Sequence, residues 1–303
     1  MEHVTTASGR DKALQALLSA FSIELTPGDD KSIDAASRLL PVATETFIAG
    51  LRRVRVEQVV SAAVRLRQAG MTPVPHVAAR NFATASELDF FLGRLSTAAD
   101  VKRVLVIAGD RERPAGPYYD SLAILRSGLL GRHGINAVYL SCYPEEHPRI
   151  ASTKLEQTRA EKLSAALETG LAVGFISQFC FDPAPILQMA KRLAAHAIAA
   201  PYRMGVAGPA SRATLLKYAM MCGIGPSIRA LRERSGLATS MLSGETPEQL
   251  LREVALAQAN DPTLRIAGVH FFTFGALANS AELIRRLTGG RSSTMCAIAS
   301  ATS

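Results

Sequence analysis

Short apolar runs alternate with longer amphipathic segments along the whole chain. Eight runs of five to ten residues are rich in Val, Ile, Leu and Phe and are too short for helices, which indicates buried β-strands. Between them apolar residues recur every three or four positions, which predicts amphipathic helices. The predicted strands span residues 21–25, 46–50, 72–78, 104–110, 136–142, 171–179, 202–208 and 265–274. The predicted helices span 10–20, a segment from Asp29 or Asp30, 56–70, 83–95, 154–170, 184–198, two or three segments within 210–259, and 280–290. Residues 119–134 are predicted to form a helix and turn.

Eight alternations of strand and helix predict a (β/α)8 barrel, or TIM barrel, an α/β fold with parallel strands. A length of 303 residues suits one such barrel, and no repeat or linker marks an internal boundary. We therefore expect a single domain with an N-terminal helical extension over 1–19, the barrel over 20–287 and a flexible C-terminal tail over 288–303. Ligands bind such barrels at the carboxyl ends of the strands, so polar residues there are the candidates for chemistry.

Composition and short motifs argue against several classes of protein. Apolar residues make up 48% of the chain, but no apolar stretch is long enough to cross a membrane and no signal core follows the N-terminus. We therefore expect a cytoplasmic protein with no membrane partner.

The four cysteines are widely spaced, and neither CxxC nor HExxH occurs, so we expect free thiols and no metal site. No P-loop is present, so any dinucleotide must be held by strand-end loops and helix N-termini.

The net charge of +8 favours anionic ligands. The densest basic cluster is LRRVRVEQ at residues 51–58, and it contains no aromatic residue, so we expect no nucleic-acid partner. Two interpretations of this cluster stay open. It is either a solvated loop and helix start or a segment that guides an anionic ligand.

Polar and aromatic residues gather at the predicted strand ends. Glu24 lies inside an apolar strand, where burial disfavours the ionised carboxylate and suits the group to proton transfer; pairing with a barrel arginine is the alternative. Asp110 either accepts a hydrogen bond from a ligand or caps a turn. Gln178 either pairs with a heterocycle or is satisfied by backbone groups. The remaining candidates are His76, His147, Tyr143 and the run 270–274, and the two histidines are more often structural than catalytic.

Six motifs resemble those of the methylenetetrahydrofolate reductase family and occur in the family's order. They are FSIELTP at 21–27, VPHVAAR at 74–80, VLVIAGDRERPAG at 104–116, SCYPEEHP at 141–148, FISQFCFD at 175–182 and VHFFTF at 269–274. Each motif is weak alone, but CYPEEHP followed by SQFCFD in a chain of this length is specific. The resemblance covers about residues 20 to 285.

The resemblance implies an oxidoreductase that interconverts 5,10-methylenetetrahydrofolate and 5-methyltetrahydrofolate, including the oxidative direction that one-carbon catabolism would use. It implies FAD at the strand ends, with NADH or NADPH exchanging hydride with the flavin. Glu24 then matches the general acid, Asp110 the acid that contacts the pterin and tunes the flavin, and Gln178 the amide that binds folate. Phe272 joins them at the substrate. The residues expected at the cofactor are His76, Gly109, Asp110, Tyr118, Tyr143 and His147. Familiar members form dimers or tetramers, so we expect a homodimer.

The chain departs from the family at positions that would anchor ligands. The replacements, in chain order, are a proline by Gly28, an arginine by Ala108, an acid and a lysine that hold the flavin by Arg159 and Ala166, and an arginine that meets the folate tail by Ala276. Arg80, Arg111 and Lys162 are candidate substitutes. Two alternatives follow. One is a reductase without flavin, in which hydride passes directly between NAD(P)H and folate, and the other is a barrel that binds methyltetrahydrofolate without redox chemistry.

Overall fold

A computed structural model describes residues 7–145, 147, 149–195, 200–222, 224 and 247–290. Eight parallel strands close into a barrel in the order β1 to β8, which confirms the predicted (β/α)8 fold. Every predicted strand is present, and no strand end differs from its predicted position by more than three residues. The strands are β1 (Ser22–Leu25), β2 (Glu45–Ile48), β3 (Thr72–Ala78), β4 (Arg103–Ile107), β5 (Ala137–Cys142), β6 (Ala172–Cys180), β7 (Tyr202–Ala207) and β8 (Ile266–Phe272).

The helices follow the predicted amphipathic segments. They are α1 (Ala7–Leu18), α2 (Asp30–Leu39), α3 (Val56–Gln68), α4 (Ala85–Ala99), α5 (Ser121–Arg126), α6 (Leu129–Arg132), α7 (Ser152–Glu168), α8 (Pro183–Ala195), α9 (Arg212–Met221), α10 (Glu248–Asn260) and α11 (Leu277–Thr288). Helix caps explain two starts: Asp29 accepts the Ser32 N–H ahead of α2, and Thr84 accepts the Glu87 N–H ahead of α4. None of the described helices is long and apolar enough to cross a membrane.

Contacts are densest within two units of the barrel. The β1–β5 unit comprises Ile23–Ser141 and Thr153–Phe175, and the β6–β8 unit comprises the described residues within 7–22, 142–152 and 176–290. In the β1–β5 unit, α3 turns its buried residues, spaced three or four apart, toward β3 and α4. In the β6–β8 unit, Phe179, Phe181 and Leu215 form part of a fully apolar core cluster.

A buried polar network holds the amino-terminal ends of strands in the β1–β5 unit. Glu45, the first residue of β2, is only 3% exposed. Its carboxylate accepts a 2.7 Å hydrogen bond from the Tyr139 hydroxyl on β5 and lies 3.5 Å from Nε of Arg103 at the start of β4. The buried carboxyl group is thereby paired with polar partners in the core.

The structure corrects two predicted elements and leaves others outside its described part. β4 ends at Ile107 rather than at Asp110, because Gly109 takes a positive φ of 89° that no strand residue adopts. The segment 119–134, predicted as a helix and turn, forms two short helices, α5 and α6, with Gly128 in the left-handed region between them. Cys296 and the predicted tail beyond Gly290 lie outside the described residues.

Candidate functional site

Two titratable side chains meet at strand ends, Glu24 on β1 and His76 on β3. His76 Nε2 lies 3.3 Å from Glu24 Oε2, with the histidine side chain 8% and the glutamate side chain 19% exposed. Nε2 is buried and makes no aligned hydrogen bond within the described part of the chain. The pairing differs from the alternative drawn from the sequence, because the partner of Glu24 is an imidazole and not an arginine. A carboxyl group beside an imidazole can hold or pass a proton.

Neighbouring strands fix the position of His76. In the register of β3 and β4, His76 lies opposite Leu105. The ring packs edge-on against Phe47 of β2, with 6.3 Å between centroids. Gly50 follows β2 and passes so close that a Cβ there would lie 2.9 Å from the His76 Cβ. The imidazole is therefore held between two strand ends, and the absence of a side chain at position 50 is what permits this approach.

The loop after β4 carries Asp110, but outside the strand. Asp110 is exposed, and its carboxylate makes no hydrogen bond or ion pair among the described residues. The preceding Gly109 has a positive φ and lies close to the end of β3. A Cβ at position 109 would be 3.2 Å from the Ala78 Cβ. Of the two roles drawn from the sequence, the side chain does not make the turn cap among the described residues. Its exposure leaves it open to a ligand.

Arg80 holds this loop in place. It lies in a short 3₁₀ turn after β3, and its guanidinium donates to the carbonyls of Tyr119 at 2.7 Å and of Arg111 at 3.0 Å. Its backbone N–H donates to the Ala108 carbonyl and its own carbonyl accepts from Ala115. Arg80 was a candidate to replace a missing cofactor anchor. In the structure, Nε and Nη1 of its guanidinium form hydrogen bonds with backbone carbonyls of the loop after β4.

Lys162 and Tyr118 are the other predicted cofactor residues of the β1–β5 unit. Burial lowers the pKa of Lys162 on α7, and the charges of Asp120 and Glu161 partly oppose that shift. Lys162 is half-buried and forms no ion pair with any described residue, so its amine is available to an anion. Tyr118 is 8% exposed, and burial, followed by the charge of Asp89, raises the pKa of its phenol.

Tyr143 and His147 adjoin each other in the β6–β8 unit. Their rings meet edge to face with 4.9 Å between centroids. His147 Nδ1 accepts the Arg149 N–H at 3.2 Å. Burial and, to a lesser extent, the positive charge of Arg149 lower the pKa of His147, which favours a neutral imidazole at physiological pH.

Gln178 and Phe272 lie at the ends of β6 and β8. The Gln178 Oε1 accepts the N–H of Phe179 at 3.0 Å, which corresponds to the backbone-satisfied alternative drawn from the sequence. Phe272 is half-buried, with its ring 4.8 Å from His270 and 5.3 Å from Phe179, measured between centroids. The two residues thus belong to an aromatic end of the β6–β8 unit.

Sequence reasoning missed a basic cavity next to His76. The cavity has a volume of about 320 Å³ and lies among the loop after β2, the ends of β3 and the starts of α3 and α4. Its polar lining includes Arg52, Arg55, Arg111 and Asn81. The basic cluster at 51–58 is visible in the sequence. No sequence pattern marks Asn81 as a ligand-binding residue, apart from its place beside Arg80 in the loop after β3.

Positions where the family carries anchoring residues are small and apolar here. Ala166 is fully buried on α7, and Ala276 is the residue before the first turn of α11. Ala108 accepts the Arg80 N–H with its carbonyl. Among the described residues, no group of three His, Cys, Asp or Glu side chains is arranged to hold a metal ion.

No model of a known protein family matches the chain. Solved structures do resemble it. An uncharacterised protein from Clostridium thermocellum that binds two copies of 5-methyl-5,6,7,8-tetrahydrofolic acid is 12% identical, with a TM-score of 0.61 over 92% of this chain and 98% of that one. Dihydropteroate synthase from Thermus thermophilus is 14% identical, with a TM-score of 0.49 over 90% and 94% of the two chains. A 2,3-dimethylmalate lyase is 11% identical, with a TM-score of 0.49 over 92% and 84%. The likeness is one of fold.

Proposed function

We propose that this protein is a tetrahydrofolate-dependent oxidoreductase that interconverts 5,10-methylenetetrahydrofolate and 5-methyltetrahydrofolate. The observation that carries the proposal is the pairing of Glu24 with His76 at the strand ends, 3.3 Å apart. Reduction of the methylene group needs one proton and one hydride, and a shielded carboxyl group beside an imidazole is suited to deliver the proton. The six motifs that resemble the reductase family support the same assignment.

Glu24 acts in this proposal on the nitrogen that shares the methylene bridge. The protonated carboxyl group donates its proton to N10 of the folate, and the bond between N10 and the methylene carbon breaks. The electron pair of that bond stays on N10, which leaves an N5 iminium cation. A hydride then adds to the methylene carbon and gives the methyl group, while His76 holds Glu24 in position and returns a proton to it.

FAD supplies the hydride relay when it is bound, with NADH or NADPH as the donor. The residues of the β1–β5 unit fit such a cofactor in part. Lys162 provides a half-buried amine without an ion pair among the described residues, which suits a phosphate, and Gly109 lets the backbone approach a planar ring closely. Arg80 donates from Nε and Nη1 to the Tyr119 and Arg111 carbonyls, which leaves Nη2 of its guanidinium for a phosphate.

An absorbance spectrum of the purified protein, before and after FAD is added and removed by desalting, tests the cofactor assignment. Flavin bands at about one per chain, bleached by NADH or NADPH and restored by methylenetetrahydrofolate, are the expected result. The Lys162→Met variant should retain less FAD than the wild type. A colourless protein that still oxidises NAD(P)H with the folate would contradict the flavin and favour direct hydride transfer.

A second candidate is a barrel that binds methyltetrahydrofolate without redox chemistry. It is supported by the fold shared with the Clostridium thermocellum protein, which binds that folate, and by the small residues at Ala108, Ala166 and Ala276. The same measurements separate the two candidates. Folate binding with no oxidation of NADH or NADPH under any cofactor condition would favour the binding protein. In either case we propose a cytoplasmic homodimer.

A further inference from the structure

The basic cavity beside His76 contains buried polar atoms that no described residue satisfies. Arg111 Nε and Asn81 Oδ1 are both buried, and neither has a hydrogen-bond partner among the described residues. Both side chains line the cavity, together with His76. Unsatisfied buried polar groups are uncommon because each costs free energy, so a donor and an acceptor left bare in one cavity indicate a ligand that meets both.

The charges around the cavity favour an anion. Arg52, Arg55 and Arg111 line it, and no ion pair joins any of them to another described residue. Two acids also line it, but Glu87 is occupied by the Ala83 N–H at 2.7 Å. Glu57 is exposed on the first turn of α3. Three arginines against two carboxylates leave a net positive charge facing the space.

The remaining lining is apolar. Val54, Val59, Phe82 and Phe91 contribute side chains to the same cavity. A small inorganic ion would leave this surface unused. A ligand with a short hydrocarbon or aromatic part, an amide N–H and a carboxylate would use the arginines, the Asn81 oxygen and the apolar wall together.

We infer that this cavity binds the glutamate tail of the folate, with a tail carboxylate on Arg111 and an amide N–H on Asn81. The identity of the ligand rests on the proposed function. The chemistry that the cavity recognises, an oxyanion on an arginine cluster, is shared with the pyrophosphate of a dinucleotide. The amide acceptor Asn81 favours the glutamate tail, because its γ-glutamyl links carry an N–H and a pyrophosphate carries none.

Calorimetric titration with two probes that lack a pterin tests whether the cavity binds the glutamate tail. The probes are tri-γ-glutamate and inorganic pyrophosphate, and the variants are Arg111→Gln and Asn81→Ala. Arg113→Gln is the matched control, since Arg113 lies in the same exposed loop, carries the same charge and does not line the cavity. We expect tri-γ-glutamate to bind the wild type and the Arg113→Gln variant alike. It should bind the Arg111→Gln variant about tenfold more weakly, with a smaller loss for Asn81→Ala.

The outcomes separate this inference from the proposed function. Equal affinity of the Arg111→Gln and Arg113→Gln variants for tri-γ-glutamate, or no binding to the wild type, would overturn it. Pyrophosphate that binds more tightly than tri-γ-glutamate, and more weakly after Arg111→Gln, would assign the cavity to a dinucleotide instead. Turnover or binding of the monoglutamyl folate by the wild type tests the proposed function separately. Thermal melting confirms that each variant is folded.

Discussion

Glu24 is a carboxyl group held beside an imidazole, so the isosteric amide removes its proton while leaving its volume in place. We expect Glu24→Gln to lower kcat for methylenetetrahydrofolate reduction by about 100-fold or more, the usual contribution of a positioned acid. The folate dissociation constant should change by no more than about threefold, because the loss falls on the transition state. Steady-state turnover and folate fluorescence titration measure the two quantities.

The control for this substitution is Glu253→Gln. Glu253 is exposed on α10 and does not line the basic cavity, so the same chemical change there should leave kcat unaltered. A Glu24→Gln enzyme with more than about a third of wild-type turnover would remove Glu24 from the role of acid. Methyltetrahydrofolate oxidation should fall in parallel, because the same group then takes the proton back.

The loop after β4 is an element whose order depends on one side chain. Arg80 donates through Nε to Tyr119 and through Nη1 to Arg111, and both acceptors are backbone carbonyls. A lysine ammonium is a single point and cannot span both. We expect Arg80→Lys to raise amide hydrogen exchange across 109–119 about tenfold, with little change in the melting temperature.

Arg94→Lys is the comparison for Arg80→Lys. Arg94 lies on α4 with its guanidinium over the ring of Phe90, 5.8 Å from the centroid, and it holds no loop backbone among the described residues. Its exchange pattern should match the wild type. If Arg80→Lys leaves amide hydrogen exchange across 109–119 unchanged, the two Arg80 hydrogen bonds do not order the loop.

A second element, β7, is packed so closely that it tolerates no side chain at Gly205. A Cβ there would lie 2.2 Å from the Ser177 carbonyl oxygen on β6. We expect Gly205→Ala to destabilise the protein by about 3 kcal/mol, since the clash is with backbone and not with a movable side chain. The midpoint of urea unfolding measures this. Gly131→Ala, on α6 with open space around its Cβ position, should be neutral or slightly stabilising.

The stability of the whole molecule should depend on pH through His147. Burial, then the charge of Arg149, lowers the folded pKa of His147, while the unfolded chain keeps the ordinary value of about 6.5. Between the two values the unfolded state binds more protons, so stability falls as pH drops below about 6.5 toward the folded pKa. The wild type should lose more melting temperature between pH 7.5 and 5.5 than His147→Gln does. Parallel melting curves for the two proteins over that range would contradict this account.

The order of elements in the whole molecule was predictable from the sequence, because buried strands and amphipathic helices leave different apolar periods. The residues at which the elements end were less predictable. β4 stops at Ile107 because of the backbone conformation of Gly109, and apolar run length carries no information about φ. The strand-end position of Glu24 and His76 was also predictable. Their 3.3 Å contact depends on how β1 and β3 are placed within the barrel.

Other parts of the candidate site depend on contacts between segments far apart in sequence. Arg80 was expected at a cofactor, but its position two residues after β3 places it within reach of carbonyls in the loop after β4. The cavity that joins Arg55, Asn81 and Arg111 arises from three separate loops. No local pattern marks such a cavity, whereas the local cap at Thr84, with Glu87 three residues later, was predictable.

The buried network of Glu45, Tyr139 and Arg103 bears on how this protein can be re-engineered. Glu45 and Arg103 are the first residues of β2 and β4, whereas Glu24 and His76 lie near the last residues of their strands. The buried network therefore lies at one end of these strands, and the candidate catalytic residues lie at the other. Replacing the loop 109–119 with a foreign loop would change the side chains offered to a ligand while leaving the contacts of Glu45 in place. The scaffold could thus be given new ligands without redesign of its interior.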